Sequence, residues 1–237
     1  SFPPPVGRIY VTIQTIYAHP IQKASTVPKE IKMNNSNAKF RYDQNMFIYQ
    51  ALDKYFQDTG YNIGSYIDEQ FQIVLLGKTL NLPNPPDRQN AIRVHDLYHI
   101  LTEYDTSFKS ESWIGAFELG AGIPQSYLAA WFFNCTSTFL GLFHSPVKTF
   151  KAFMRGRATT DNLYRLIPYG DKQAYEEVMM SKVGVMRNLI GVNNSITFSI
   201  RDLLLITLAS TVGALLIPVI GIGIAKAYLE ALWKNIK

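Results

Sequence analysis

The stretch VHDLYHILTEYDTSFKSESWIGAFELG (residues 94–120) holds His95 and His99, two of the four histidines in the chain. Asp96 lies between them, and further carboxylates follow at Glu103, Glu111 and Glu118. Val94, Leu97, Tyr98, Ile100 and Leu101 fill the remaining positions with the periodicity of a buried helix. Each helical residue advances ~100°, so positions four apart differ by only ~40° around the axis. Both imidazoles therefore project from one face, with Asp96 beside them. The polar loop EYDTSFKS is short enough to turn the chain, so that the next helix packs antiparallel and returns Glu111 to the level of the histidines. Two readings are open. The cluster holds a metal ion through imidazole and carboxylate ligands, or it is the polar face of an ordinary helix.

Worked outward from this stretch, the pattern predicts an all-α fold. Residues 1–40 carry Pro3 to Pro5, Pro20, Pro28 and a polar KMNNSNAK run, which read as an extended N-terminal arm. A helical domain follows over residues 41–195. Its first helix is expected to be capped by Asp43 and to close at Gly60. SYIDEQFQIVLLGKTL reads as a second helix, with no alternation long enough for a sheet, and Asp87 to Tyr104 as a third. Further helices are expected over Ser110 to Leu119, Gln125 to Phe143, a segment with Pro146 at its first position, and one helix running on from a cap at Asp171. Within PVKTFKAFMRGR, Lys148, Lys151 and Arg155 fall opposite Val147, Phe150 and Phe153, a basic amphipathic pattern suited to an anionic membrane surface or to solvent.

Residues 196–237 depart from this pattern. Leu203 to Ala225 contains no charged side chain, with Arg201 and Asp202 before it and Lys226 after. A helix of ~20 apolar residues crosses the ~30 Å hydrocarbon core, so the run is expected to be a transmembrane or membrane-associated helix. A buried core helix, or a hairpin broken between Gly213 and Pro218, is the alternative. Basic residues flank the run on both sides, leaving its orientation open.

Composition narrows the classes. Hydrophobic residues make up 47% of the 237 and charged residues only 17%, which excludes a disordered chain and fits lipid or a large interface. The net charge is +5 without a block of basic and aromatic residues, so nucleic acid is not an expected partner. A single cysteine, Cys135, rules out an internal disulfide or a CxxC site and reads as a small core residue. The chain opens on Ser1 rather than methionine, as expected of a processed or trimmed product.

HDLYH followed by eleven residues and Glu111 resembles the HDxxH-x11-E signature of the coenzyme Q biosynthesis protein 4 family. LTEYDTSFKSESWIGAFELGAG is similar to the stretch that follows the motif, and FKAFMRGRATTDNLY to a downstream segment of bacterial members. The resemblance is concentrated between about residues 85 and 165. It implies an all-helical, lipid-binding protein of isoprenoid-quinone (ubiquinone) biosynthesis, at the matrix face of the mitochondrial inner membrane or the bacterial cytoplasmic membrane. It also implies His95, Asp96, His99 and Glu111 as ligands of a divalent metal ion, zinc first, with magnesium, manganese or iron as alternatives. The activity implied is a metal-dependent decarboxylase acting at carbon 1 of the quinone head group, where oxygen is also introduced. A polyprenyl quinone precursor or another lipid is the expected ligand.

Two features depart from the family. The hydrophobic tail has no place in members that attach to the membrane peripherally, and Glu103 stands where many members have glycine. Glu103 is read as a solvent-facing residue, a further ligand or an occupant of substrate space, and Glu118 as a surface or network carboxylate. IPQSYLAAWFFNCTSTFLGLF reads as the lining of a lipid groove or as plain core. The second functional reading is a non-catalytic, membrane-anchored accessory subunit that meets other inner-membrane proteins in a respiratory-chain assembly. A passive lipid carrier is a third.

Overall fold

The structure, a computed structural model, describes residues 41–75, 78–195 and 197–234; the arm expected over residues 1–40 lies outside them. Ten helices and one two-stranded hairpin occur among the described residues, so the protein is predominantly helical rather than all-α. Helix α1 (Ile48–Thr59) buries Ile48, Ala51, Leu52 and Tyr55, one stripe of the helical period. It closes as expected on Gly60, at φ 75°, where the missing Cβ allows the left-handed turn. It does not start at Asp43. The Asp43 Oδ1 accepts the Asn45 N–H at 2.7 Å in a preceding turn, and the helix entry is instead satisfied where the Phe47 N–H donates to Gln50 Oε1 at 3.1 Å.

The expected second helix is the largest correction. Only α2 (Gly64–Ile67) is helical; the chain then forms β1 (Gln70–Leu75) and β2 (Lys78–Pro83), antiparallel, with Phe71 opposite Leu82 and Leu75 opposite Lys78. Gln70-Phe71-Gln72-Ile73 and Thr79-Leu80-Asn81-Leu82 alternate with the strand period, but the continuous run from Ile73 to Leu76 hides it. Leu80 is buried, so one side of the hairpin is packed.

Helix α3 (Pro86–Thr102) begins with Pro86 at its first position, where the missing N–H costs nothing. Its Val94, Leu97, Tyr98, Ile100 and Leu101 join the main core with α1 residues and with Tyr164, Val183, Met186 and Ile190. Helix α4 (Phe108–Ala121) follows a turn capped by Ser107, whose Oγ accepts the Ser110 N–H at 3.3 Å. Helices α5 (Leu128–His144) and α6 (Pro146–Arg157) then pack around α4.

The α4–α6 crossing is close because it is lined by small residues. A Cβ on Gly120 would fall 2.1 Å from the Phe153 carbonyl oxygen, and one on Gly156 would fall 1.9 Å from that of Phe117. Arg155 belongs to this packing and not to a basic surface face. It donates through Nε to Val192 O at 2.7 Å and through Nη1 to Thr102 O at 3.1 Å, and lies over the rings of Tyr104 and Phe117. Val147, expected on the apolar face, is 65% exposed. The amphipathic pattern read from this segment is thus broken on both sides, by tertiary contacts at Arg155 and by exposure at Val147.

After α7 (Leu163–Leu166), the helix expected from Asp171 onward is two, α8 (Lys172–Met179) and α9 (Val183–Ile190). Asp171 caps the first as expected, its Oδ1 accepting the Ala174 N–H at 3.0 Å. The break comes from tertiary pairing: Ser181 O accepts the Ile48 N–H and the Val183 N–H donates to Met46 O, both at 2.9 Å. Helix propensity is worth tenths of a kcal/mol per residue and yields to such pairing.

Helix α10 (Ile200–Lys234) carries the apolar run unbroken, with Pro218 inside it. It is neither a hairpin nor a core helix: of its most apolar window only 17% is buried, and it is long and apolar enough to cross a membrane. Its start is fixed by a box of capping contacts. The Ser199 N–H and Oγ donate to Asp202 Oδ2 at 3.0 and 2.6 Å, and the Arg157 Nε donates to Asp202 Oδ1 at 2.9 Å. Farther along, Gly213 lets the helix lie against α5, where a Cβ would come 2.1 Å from the Cys135 carbonyl oxygen.

Candidate metal centre

Helix α3 supplies two imidazoles from one face, and the 103–107 turn brings the first turn of α4 back beside them. His95 Nε2 and His99 Nε2 stand 3.1 Å apart. Glu111 reaches both, with Oε2 at 3.2 Å from His95 Nε2 and Oε1 at 3.3 Å from His99 Nε2. The antiparallel return of Glu111 to the level of the histidines is therefore present. His95, His99 and Glu111 form a group that could hold a metal ion, with ligand atoms within 4.8 Å of one another.

The tautomers decide what this group can do. His95 Nδ1 lies 2.7 Å from Glu118 Oε1, and a carboxylate accepts, so Nδ1 carries the hydrogen. His99 Nδ1 lies 2.9 Å from the Tyr104 carbonyl oxygen and donates in the same way. With both rings neutral, each Nε2 lone pair would face the other ring and Glu111. Acceptors so arranged repel unless a cation sits among them, either a metal ion or a proton on Nε2. Ligands at ~2.05 Å from a tetrahedral ion are about 3.3 Å apart, close to the 3.1 Å between the two Nε2 atoms, while Glu111 meets the two rings through different oxygens.

The surrounding charge favours the same conclusion. Burial works against a charged His95, but Glu118 and Glu111 outweigh it and hold its pKa well above the ordinary imidazole value. Burial would raise the Glu111 pKa, yet the two histidines pull it far below the usual carboxylate range. The centre is built for positive charge at the point where Nε2, Nε2 and carboxylate meet. A divalent ion fits that point chemically.

Asp96, the fourth expected ligand, is not brought into this group. Its Oδ1 accepts from Tyr55 OH at 3.1 Å and its Oδ2 from Tyr66 OH at 2.6 Å. The physical reason is angular: a residue next to His95 is turned ~100° from it around the helix. Burial raises the Asp96 pKa against the pull of His95 and the two phenols. Tyr55 in turn stacks on His99, centroids 5.6 Å apart, so Asp96 acts on the site by fixing a ring that packs against a ligand.

Of the remaining carboxylates, Glu118 takes the network role of the two read for it, and is fully buried rather than on the surface. Its Oε1 takes the His95 hydrogen while its Oε2 accepts from Asn134 Nδ2 at 2.6 Å and from the Tyr164 hydroxyl. Glu103 does not face solvent freely and is not a ligand here. It ends α3 in the left-handed region at φ 63°, the conformation glycine favours, and its Oε1 pairs with Arg187 Nη1 at 2.9 Å. Asn134 and Tyr164 were not singled out in the sequence, since each is remote from the motif and ordinary in its own segment.

A cleft of about 230 Å³ opens beside the centre, lined by Arg88, Ile92, His95, Glu111, Phe133 and Tyr164 among others. Helix α5 presents an inverted face to it and to solvent. It buries Asn134, Cys135, Thr138 and Gly141 while Leu128, Phe132, Phe133 and Phe143 are exposed.

No protein-family model, curated protein or solved structure matches this chain. Fold and site together define a helical protein with a two-histidine, one-carboxylate group that could hold a metal ion, beside an apolar helix able to cross a membrane.

Proposed function

We propose that this protein is a metal- and lipid-binding member of the isoprenoid-quinone (ubiquinone) pathway, acting at carbon 1 of the quinone head group at the inner mitochondrial or bacterial cytoplasmic membrane. The observation that carries the reading is the convergence of His95 Nε2, His99 Nε2 and the Glu111 carboxylate, with both tautomers set for ligation, inside the HDxxH-x11-E sequence. A bound divalent ion, zinc first, supplies Lewis acidity toward head-group oxygens. His95, His99 and Glu111 hold it, Glu118 and the Tyr104 carbonyl orient the imidazoles, and Asp96 with Tyr55 fixes the His99 face. The apolar body of the ligand lies along Ile92, Ala130 and Phe133 in the cleft. Exposed aromatics on α5 and the length of α10 support a substrate that arrives from the bilayer.

The membrane-anchored accessory subunit is the second reading, and α10 favours it. The Glu103 departure no longer does, because Arg187 draws that side chain away from the centre. The test is direct. Protein purified in detergent is incubated with a carboxylated prenyl hydroxybenzoate, and loss of the carboxyl carbon is followed by mass spectrometry, beside His99→Ala. Turnover in the parent that disappears in the variant supports the enzyme; equal turnover in both, or none in a metal-loaded parent, removes it in favour of the accessory role.

A further inference from the structure

The lining of the cleft includes one guanidinium, that of Arg88, and nothing in the proposed chemistry uses it. Arg88 stands seven residues before His95 on α3, so the two share a face about two turns, or ~10 Å of axial rise, apart. Between them the cleft is apolar, through Ala91, Ile92, Ala130 and Phe133. The central carbon of the Arg88 guanidinium lies over the Phe71 ring of β1, 3.6 Å from its centroid, and Nη1 donates to Asn84 Oδ1 at 2.8 Å. These contacts hold the group in place and use one of its five N–H donors. Among the described residues no carboxylate lies within ion-pair distance of it: the neighbouring Asp87 is turned to the Ala129 N–H, 2.6 Å from Oδ2. Burial works against its charge, and only Asp96, at longer range, supports it.

A half-buried guanidinium, oriented by stacking and lacking a counter-charge, is a receptor for a planar oxyanion. We propose that Arg88 is the anion-recognition residue of this cleft, its guanidinium taking the carboxylate of an otherwise apolar ligand. The proposal rests on reading the cleft as the ligand site, but not on the metal. It gives the cleft a polarity: carboxylate toward Arg88 and the hairpin, apolar body against Ile92 and Phe133. It also assigns a role to the β1–β2 hairpin, which carries the ring that the guanidinium packs on.

The test compares 4-butylbenzoate with 4-butylphenol, matched in size and differing in charge. Binding to the full chain in detergent is measured by equilibrium dialysis at neutral pH, with and without added zinc. The parent is expected to prefer the benzoate, and Arg88→Gln to weaken benzoate binding by about tenfold while changing phenol binding less than about twofold, in either zinc state. Arg88→Lys, which keeps the charge and loses the planar fork, is expected to recover part of the preference. A general loss of structure would weaken both probes alike. A parent without carboxylate preference, or an Arg88→Gln protein that keeps it in full, overturns the proposal. Zinc uptake in the same samples tests the metal reading separately, since an Arg88-dependent preference in a parent that takes up no zinc would leave this inference standing and remove that one.

Discussion

Glu118 Oε1 accepts from His95 Nδ1 at 2.7 Å, although the two residues lie on different helices and Glu118 is wholly buried. This contact directs the other ring nitrogen at the candidate metal centre. Partners of this kind are worth 10–100-fold in metal affinity. Glu118→Gln, which keeps the shape and loses the charge, is expected to weaken zinc binding by about that factor. Competition with a chelator of known affinity measures it, alongside a circular dichroism spectrum that should match the parent.

Glu103 offers a sharper division between ligand and structural roles. In Glu103→Gly the left-handed position is relieved by roughly 1 kcal/mol, while the partly exposed pair with Arg187 is lost, at a cost of about 0.2–1 kcal/mol. The two nearly cancel. Denaturation should show stability within ~1 kcal/mol of the parent, and bound metal should be unchanged. Loss of metal in this variant would show that Glu103 ligates it.

The α4–α6 crossing has no room for a methyl group. Gly156→Ala would place its Cβ 1.9 Å from the Phe117 carbonyl oxygen, a backbone atom that cannot swing aside. The helices must separate, and a loss of about 1–3 kcal/mol is expected. In a domain of this size each kcal/mol shifts Tm by about 2–4 °C, which thermal unfolding will resolve. An unchanged Tm would mean the helices do not approach this closely.

Burial pushes the Cys135 thiol up to about 11. At pH 8 that leaves roughly one thiol in a thousand ionised, against about a quarter for an ordinary thiol near 8.5. Alkylation by iodoacetamide should be negligible in the folded protein at pH 8 and rapid in denaturant, read as a mass shift. Rapid labelling of the folded chain would place Cys135 at an accessible surface.

The centre itself was legible because its two imidazoles and returning carboxylate depend on local geometry: a four-residue spacing, a short turn and an antiparallel neighbour. Helix ends marked by chemistry, such as Gly60, Pro146 and Asp171, were legible for the same reason. What stayed hidden depends on distant partners. Asp96 was expected in the ligand set because it lies within the HDxxH motif beside the histidines, but Tyr55 and Tyr66 take up its carboxylate. Asn134 and Tyr164 matter only once folding places them on Glu118. The β1–β2 hairpin was lost in an apolar run that obscures alternation, and the break between α8 and α9 exists because the strand-like segment around Phe47 pairs with Lys182.

The most direct measurement is the metal content of the detergent-purified protein, by mass spectrometry, beside the His95→Ala/His99→Ala double variant. About one equivalent in the parent and none in a folded variant is the result expected if the two Nε2 atoms and Glu111 enclose an ion. No metal in either, with both folded and zinc supplied, would contradict the metal centre and leave the motif as a network of hydrogen bonds among buried helices.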